Sequence, residues 1–410
     1  MISVEPSTAD RLARLARAVE AELREHILPF WLGLQDSARG GFAGAASSRG
    51  RVLPSAPKGA VLHARILWAF SAASLRISDP ALLDAARCAY RFIVERLIDP
   101  VAGGVFWTVS ADGAPADTRK HLYAQAFAIY GLVAFHRASG EPGPLRLAQQ
   151  LWRVVERAAA DPKGPGYFEA FSPDWRIVPN ELMGWPEAPK TFNAHLHLLE
   201  AYGMLWQVWP DPALRRRLEM LAALLTGPFL DRRRNTFRQF FDADWRSLDD
   251  GLSHGHDIEA SWLIPAVADR LAPELAAAAR EAVSGVAAAV LERAVEADGG
   301  LVTGFDANRG LDRGKVWWVQ AEALVGFLDA FERRREMRFL SAAEGVWGFI
   351  ERSMVDRTGG EWRWRVDPVG PSQPILPKAG LWKCPYHNGR ACLEVLDRAA
   401  RLCAWGVRTG

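Results

Sequence analysis

The sequence predicts an all-α fold, an (α/α)6 barrel of six helical hairpins in a single domain spanning residues 1–410. Two observations carry this expectation. Apolar residues recur at helical spacing from end to end, with no convincing run of strand alternation. A short Gly-Gly-aromatic signature returns between the helical segments at intervals of roughly 60 to 70 residues, a period that points to a repeat architecture.

The copies run Gly40-Gly41-Phe42, Gly103-Gly104-Val105-Phe106-Trp107 and Gly164-Pro165-Gly166-Tyr167-Phe168. The signature weakens to Asn235-Thr236-Phe237, then returns as Gly299-Gly300-Leu301 and Gly359-Gly360-Glu361-Trp362. Each period holds two helices of ordinary length plus loops. An open α-solenoid is the alternative, but six copies with aromatic-rich turns favour a closed ring. No Pro/Ser-rich linker divides the chain.

Composition narrows the function. The chain is 49% hydrophobic and 24% charged, an ordinary globular balance. A net charge of +2 without a long basic block gives no nucleic-acid footprint. No apolar run approaches the ~20 residues that cross a bilayer. Residues Thr8 to Ile27 are amphipathic and charged, unlike the apolar core of a signal peptide. Cys88, Cys384, Cys392 and Cys403 lack CxxC spacing and are too few for a disulfide framework, which fits a reducing cytoplasm. The 17 tryptophans suit both core packing and sugar stacking.

In a closed barrel, polar residues near the starts of inner helices face the cavity. Five clusters meet that description. Lys58 to Trp68 carries Arg65 as a lone cation in an apolar helix. Lys120 to Phe127 sets Tyr123 and Phe127 on one face, as a site wall or as core. Phe192 to Glu200 contains His195 and His197, which diverge by roughly 200° on a helix and so cannot chelate one ion. Asn193, His197 and Glu200 do share a stripe, and a polar stripe on an apolar helix must be satisfied or functional.

The fourth cluster, Ser253-His254-Gly255-His256-Asp257-Ile258-Glu259, puts His256 and Glu259 on one helix face, an oriented acid/base pair. A capped helix start is the competing reading. The fifth joins Lys315 to Glu322 with Trp382 to Arg390. Pro385 fixes a helix start there and sets His387 in the first turn, where the helix dipole favours a neutral imidazole. Trp382 and one of Trp317 or Trp318 could stack on a sugar ring.

These segments resemble the cellobiose 2-epimerases of the N-acylglucosamine 2-epimerase superfamily. The resemblance rests on KGAVLHARILW (Lys58 to Trp68), YAQAFAIY (Tyr123 to Tyr130) and NAHLHLLEAY (Asn193 to Tyr202). GHDIEASWL (Gly255 to Leu263), WWVQAEALVGF (Trp317 to Phe327) and WKCPYHNGRACLE (Trp382 to Glu394) complete it. His63, Ala194 and His254 depart from the family wording, and the loops 306–314 and 368–379 match no pattern.

The resemblance implies the barrel and a cofactor-free epimerisation at C2 of a reducing-end glucose or mannose. His256 and His387 match the acid/base histidines, with Glu259 orienting His256. Arg65, Tyr123, Asn193, His197, Trp318 and Trp382 match residues around the sugar. No metal is expected. The expected partner is a small sugar alone, with no nucleic acid or membrane, on a monomer, a dimer being the alternative. A mannose 2-epimerase or an aldose–ketose isomerase uses the same enediolate chemistry. A glycoside hydrolase on this barrel would want two inward carboxylates roughly 5–9.5 Å apart instead.

Overall fold

A computed structural model describes residues 6–306, 310–368 and 375–409. The unmatched loop segments 307–309 and 369–374 lie outside the described residues. The first hairpin joins α1 (Thr8–Glu22) and its continuation α2 (Leu28–Leu32) to α3 (Ala60–Ser74). The second pairs α4 (Pro80–Phe92) with α5 (Leu122–Ser139), and the third pairs α6 (Pro142–Ala158) with α7 (Phe192–Trp206). In the fourth, α8 (Pro212–Thr226) precedes α9 (His254–Ala268). The fifth begins with a broken outer helix, α10 (Pro273–Ala282) and α11 (Val286–Ala294), and returns as α12 (Trp317–Arg334). The last joins α13 (Met337–Phe349) to α14 (Tyr386–Thr409).

The two helix classes follow from patterning. Outer α6 buries Pro144, Ala148, Leu151 and Val155, a single stripe at helical spacing. Inner α3 is buried without interruption from Ala60 to Ser71, as a helix walled on every side must be. Outer helices start cleanly: Asp79 and Asp211 accept first-turn amides ahead of Pro80 and Pro212. The ring runs α3, α5, α7, α9, α12, α14 and closes where α14 packs on α3, so the fold is a barrel and not an open solenoid.

The Gly-Gly-aromatic turns form one rim. Isolated bridges Gln35↔Phe42, Ile98↔Val105, Ala160↔Tyr167, Val295↔Leu301 and Val355↔Trp362 close five of them, and a short strand pair containing Phe237 closes the remaining one. Five of the turns are fastened directly to the next inner helix, and the sixth through Glu361, which accepts from the Trp362 amide and from Asn388. The amides of Phe42, Val105, Tyr167, Phe237 and Leu301 donate to His63, Gln125, His195, Asp257 and Gln320 at 2.7–3.1 Å. Gly41 needs its glycine: φ is +65° and a Cβ would lie 2.6 Å from Phe92 and 2.9 Å from His63.

Five residues before each of these acceptors stands Lys58, Lys120, Lys190, Leu252 or Lys315, and Lys383 holds the same place before Asn388. The lysines are buried and paired: Lys58 with Asp36 at 2.9 Å, Lys120 with Asp99 and Lys190 with Asp161 at 2.6 Å, Lys383 with Glu361 at 3.1 Å. This repeat sets all six inner helices at one height.

Candidate active site

Equal height turns sequence spacing into tiers, because residues three, four, seven and ten positions beyond a common origin share one helix face. Counting from the lysine or Leu252, the upper tier holds Tyr123, Asn193, His256, Trp318 and His387. The next holds Arg65, Phe127, His197, Glu259, Glu322 and Arg390, all at the seventh position. Below these lie Trp68, Tyr130, Glu200 and Trp262.

The upper two tiers enclose a cavity of about 460 Å³. Arg65, Tyr123, Asn193, His197, His256, Glu259, Trp318, Trp382 and His387 all line it, so these nine sequence-derived candidates face one space. Trp317 and Trp364 add aromatic wall, and Leu182 and Met183 reach in from the loop before α7. Both Trp317 and Trp318 contribute, where one was expected.

The two upper histidines flank one indole. The ring centroid of Trp318 lies 5.0 Å from that of His256 and 5.6 Å from that of His387. Burial pushes His256 down to about 3, and burial with the Arg65 and Arg390 guanidiniums pushes His387 well below its usual value. Both imidazoles therefore rest neutral, as a base needs.

The orienting groups differ from expectation. Glu259 sits a turn deeper than His256 and accepts from Nη2 of Arg390 at 2.6 Å, with Nε2 of His197 at 4.0 Å. The Nδ1 partner of His256 is instead the Ser253 hydroxyl at 2.9 Å. The carboxylate that orients an upper histidine is Glu322, 2.6 Å from Nδ1 of His387. A spacing of three along one helix put Glu259 on the right face but at the wrong depth.

Arg390 binds the lower tiers together. Its guanidinium donates to Glu200 and Glu259 at 2.6 Å and to Glu322 at 2.7 Å. Glu200 also accepts from the Tyr386 hydroxyl at 2.5 Å and from Nδ1 of His197 at 3.0 Å. Burial would raise Glu200, but Arg390 and His197 outweigh it and hold the carboxyl at about 2. Burial and the adjacent Glu322 carboxylate push Glu259 upward. Arg65 stacks 4.0 Å above the Phe127 ring and donates to the Tyr123 hydroxyl at 2.5 Å.

Glu259, Glu322 and His387 present ligand atoms within 4.8 Å of one another, a possible metal cluster. Arg390 already donates to both carboxylates, so its guanidinium occupies the place where a cation would be attracted. His195 and His197 diverge as expected: His195 takes the Tyr167 amide while His197 faces the cavity. Oδ1 of Asn193, Oε2 of Glu259 and Nε of Arg65 are buried at the cavity wall without hydrogen-bond partners among the described residues. Buried polar atoms need partners, and sugar hydroxyls would supply them.

Sequence reasoning missed Arg390, Ser253 and Tyr386 and left Glu322 as a bystander. The signal was present: aligning the five lysines with Leu252 puts Glu322 and Arg390 in register with Arg65, His197 and Glu259.

The family profile of N-acylglucosamine 2-epimerase (GlcNAc 2-epimerase) matches residues 40–389. The chain belongs to this family. A cellobiose 2-epimerase of Ruminococcus albus is 40% identical over 388 residues, covering 94% of this chain and 99% of the relative. One from Bacteroides fragilis is 38% identical over 386 residues, covering 93% and 98%. The solved structure of cellobiose 2-epimerase from Bacillus thermoamylovorans B4167 superposes with a TM-score of 0.90 at 36% identity, covering 94% of this chain and all of that one. Among the described residues, no helix is long and apolar enough to cross a membrane.

Proposed function

We propose that this N-acylglucosamine 2-epimerase family member epimerises, without cofactor, C2 of the reducing-end glucose or mannose residue of a cellobiose- or mannobiose-type disaccharide. The observation that carries the reading is the pair of neutral imidazoles, His256 and His387, set about one indole at the upper tier of a single cavity. The relatives of 38% and 40% identity that carry the name cellobiose 2-epimerase support it.

In this reading the sugar enters as a pyranose and opens by cleavage of its C1–O5 bond, exposing the C1 aldehyde. One imidazole takes the proton from C2, and the electron pair moves to give a cis-enediolate. The other imidazole returns a proton to the opposite face of C2, leaving the epimer and completing the proton balance. Positioned acid/base groups of this kind contribute ~10²–10⁴-fold each. The enediolate oxygens carry the developing charge, and Arg65 and Asn193 are the donors beside them. His197, whose Nδ1–H is given to Glu200, offers Nε2 as an acceptor for a sugar hydroxyl.

A second cavity of about 550 Å³ supports a disaccharide over a monosaccharide. It shares His256 with the first and is walled by Trp185 and Phe240, whose rings stack at 4.3 Å. The reading extends to a monomer in a reducing cytoplasm. The four cysteines are unpaired, which suits a reducing compartment.

The test is a substrate panel of cellobiose, mannobiose, glucose and mannose followed by NMR. C2 epimers of the disaccharides are the expected products. A ketose as the main product would replace epimerase with isomerase, and free glucose from cellobiose would indicate a hydrolase.

A further inference from the structure

The loop ahead of α7 reaches both cavities. Leu182 and Met183 line the one with the histidines, and Trp185 lines its neighbour. Between its ends the loop is largely open to solvent, with Glu181, Gly184, Pro186 and Glu187 exposed. Its ends are buried: Asn180 and Ala188 are both 0% exposed.

Asn180 ties those ends together. Its backbone N–H donates to Pro186 O and its Nδ2 to Ala188 O, each at 3.2 Å. The same amide is held from below. Nδ2 donates to Oε2 of Glu169 at 2.8 Å, and Oδ1 lies 3.2 Å from Nε2 of His121. Both partners are fully buried. Burial pushes His121 down to about 4 and Glu169 up to about 7, so the imidazole is neutral and acts as a hydrogen-bond donor. The ring of His121 lies 5.4 Å from Trp107, and Trp107 lies 5.5 Å from Trp382 in the cavity wall.

We propose that Asn180, gripped by His121 and Glu169, is a positioning residue that seats Leu182, Met183 and Trp185 against the substrate and thereby sets affinity for a two-sugar ligand. The group touches no reacting atom and acts through the loop it closes. A buried cluster of one imidazole, one amide and one carboxyl is costly to maintain, the more so here because Nδ1 of His121 and Oε1 of Glu169 lack partners among the described residues. What the cluster holds is the pair of buried ends from which the exposed loop springs. The substrate side of the inference rests on the epimerase reading above.

Two measurements on full-length protein test it. Hydrogen exchange of the 181–187 amides, without sugar, reads the clamp alone. Steady-state kinetics with cellobiose reads its consequence. Asn180→Ala should speed exchange in 181–187 and raise KM for cellobiose roughly tenfold with kcat within about threefold, the pattern of lost uniform binding. Asn180→Asp should do the same by placing two carboxyls together. The swap Asn180→Asp with Glu169→Gln re-forms the hydrogen bond with donor and acceptor exchanged, and should recover both readouts in part. Unchanged exchange in Asn180→Ala, or a fall in kcat at constant KM, would overturn the proposal. A wild-type protein inactive on every sugar, with the exchange difference intact, would overturn the epimerase reading and the affinity role together while leaving the clamp.

Discussion

Nδ1 of His387 lies 2.6 Å from Oε1 of Glu322, an oxygen that also accepts from Arg390 at 2.7 Å. A neutral imidazole with Nδ1–H on a carboxylate keeps Nε2 as its basic atom, and the carboxylate stabilises the cation formed when that atom takes a proton. His256 has only the Ser253 hydroxyl at 2.9 Å for the same purpose. The two imidazoles are thus unequally supported.

Replacing Glu322 with Gln keeps its shape and removes its charge. Steady-state kinetics should show kcat down by about 10²-fold, within the range of a lost acid/base contribution, with KM little changed. Ser253→Ala should cost less, since a hydroxyl offers no charge assistance. Equal losses in the two variants would count against the asymmetry.

Removing the Arg390 side chain strands Glu200, Glu259 and Glu322 without their common cation. Uncompensated buried charge is strongly destabilising, so Arg390→Ala should lose ~3–5 kcal/mol in denaturant unfolding. A loss under about 1 kcal/mol would mean that water or a neighbouring proton already neutralises the carboxylates.

Buried histidines are the most numerous strongly shifted groups among those described. Burial holds His63, His121, His195 and His254 at about 4 and His256 at about 3, against 6.5 for a free imidazole. As pH falls from 6.5 toward 4 the unfolded chain takes up these protons and the folded chain does not, so stability is lost on acidification. Glu169 and Asp257, raised by burial to about 7, and Glu259, raised to about 8 by burial and the Glu322 carboxylate, oppose this: their contribution is lost as pH rises from about 4 through 7 to 8. Histidines are the more numerous, so Tm should fall between pH 7 and pH 5.

The repeat supplies a control for that trend. Gln125 and Gln320 accept the amides of Val105 and Leu301 as His195 accepts that of Tyr167. His195→Gln should fold normally and flatten the dependence of Tm on pH. A melting curve with unchanged slope would remove His195 from the acid response.

Much of the architecture was legible because it repeats. Six Gly-Gly-aromatic turns and unbroken helical periodicity contained the barrel, and nine residues chosen from segment wording converge on one cavity. Depth was the hidden variable. A helix face can be read from spacing, but whether Glu259 meets Arg390 depends on how far α9 and α14 slide past one another, which spacing along one helix does not contain. Arg390 closed the last of the segments read from the sequence without being given a role. Only the packing of α9, α7 and α12 around α14 brings three carboxylates to it.

The most direct measurement follows C2 itself. Cellobiose is incubated with the wild-type protein in D2O, and the reducing residue is examined by NMR at low conversion, alongside His256→Ala and His387→Ala. With two imidazoles passing protons to and from solvent, the epimer formed should carry deuterium at C2, and neither variant, each folded by circular dichroism, should form epimer. Protium retained at C2 in the product, or epimer formed by either variant at a rate near wild type, would contradict proton transfer by the His256–His387 pair.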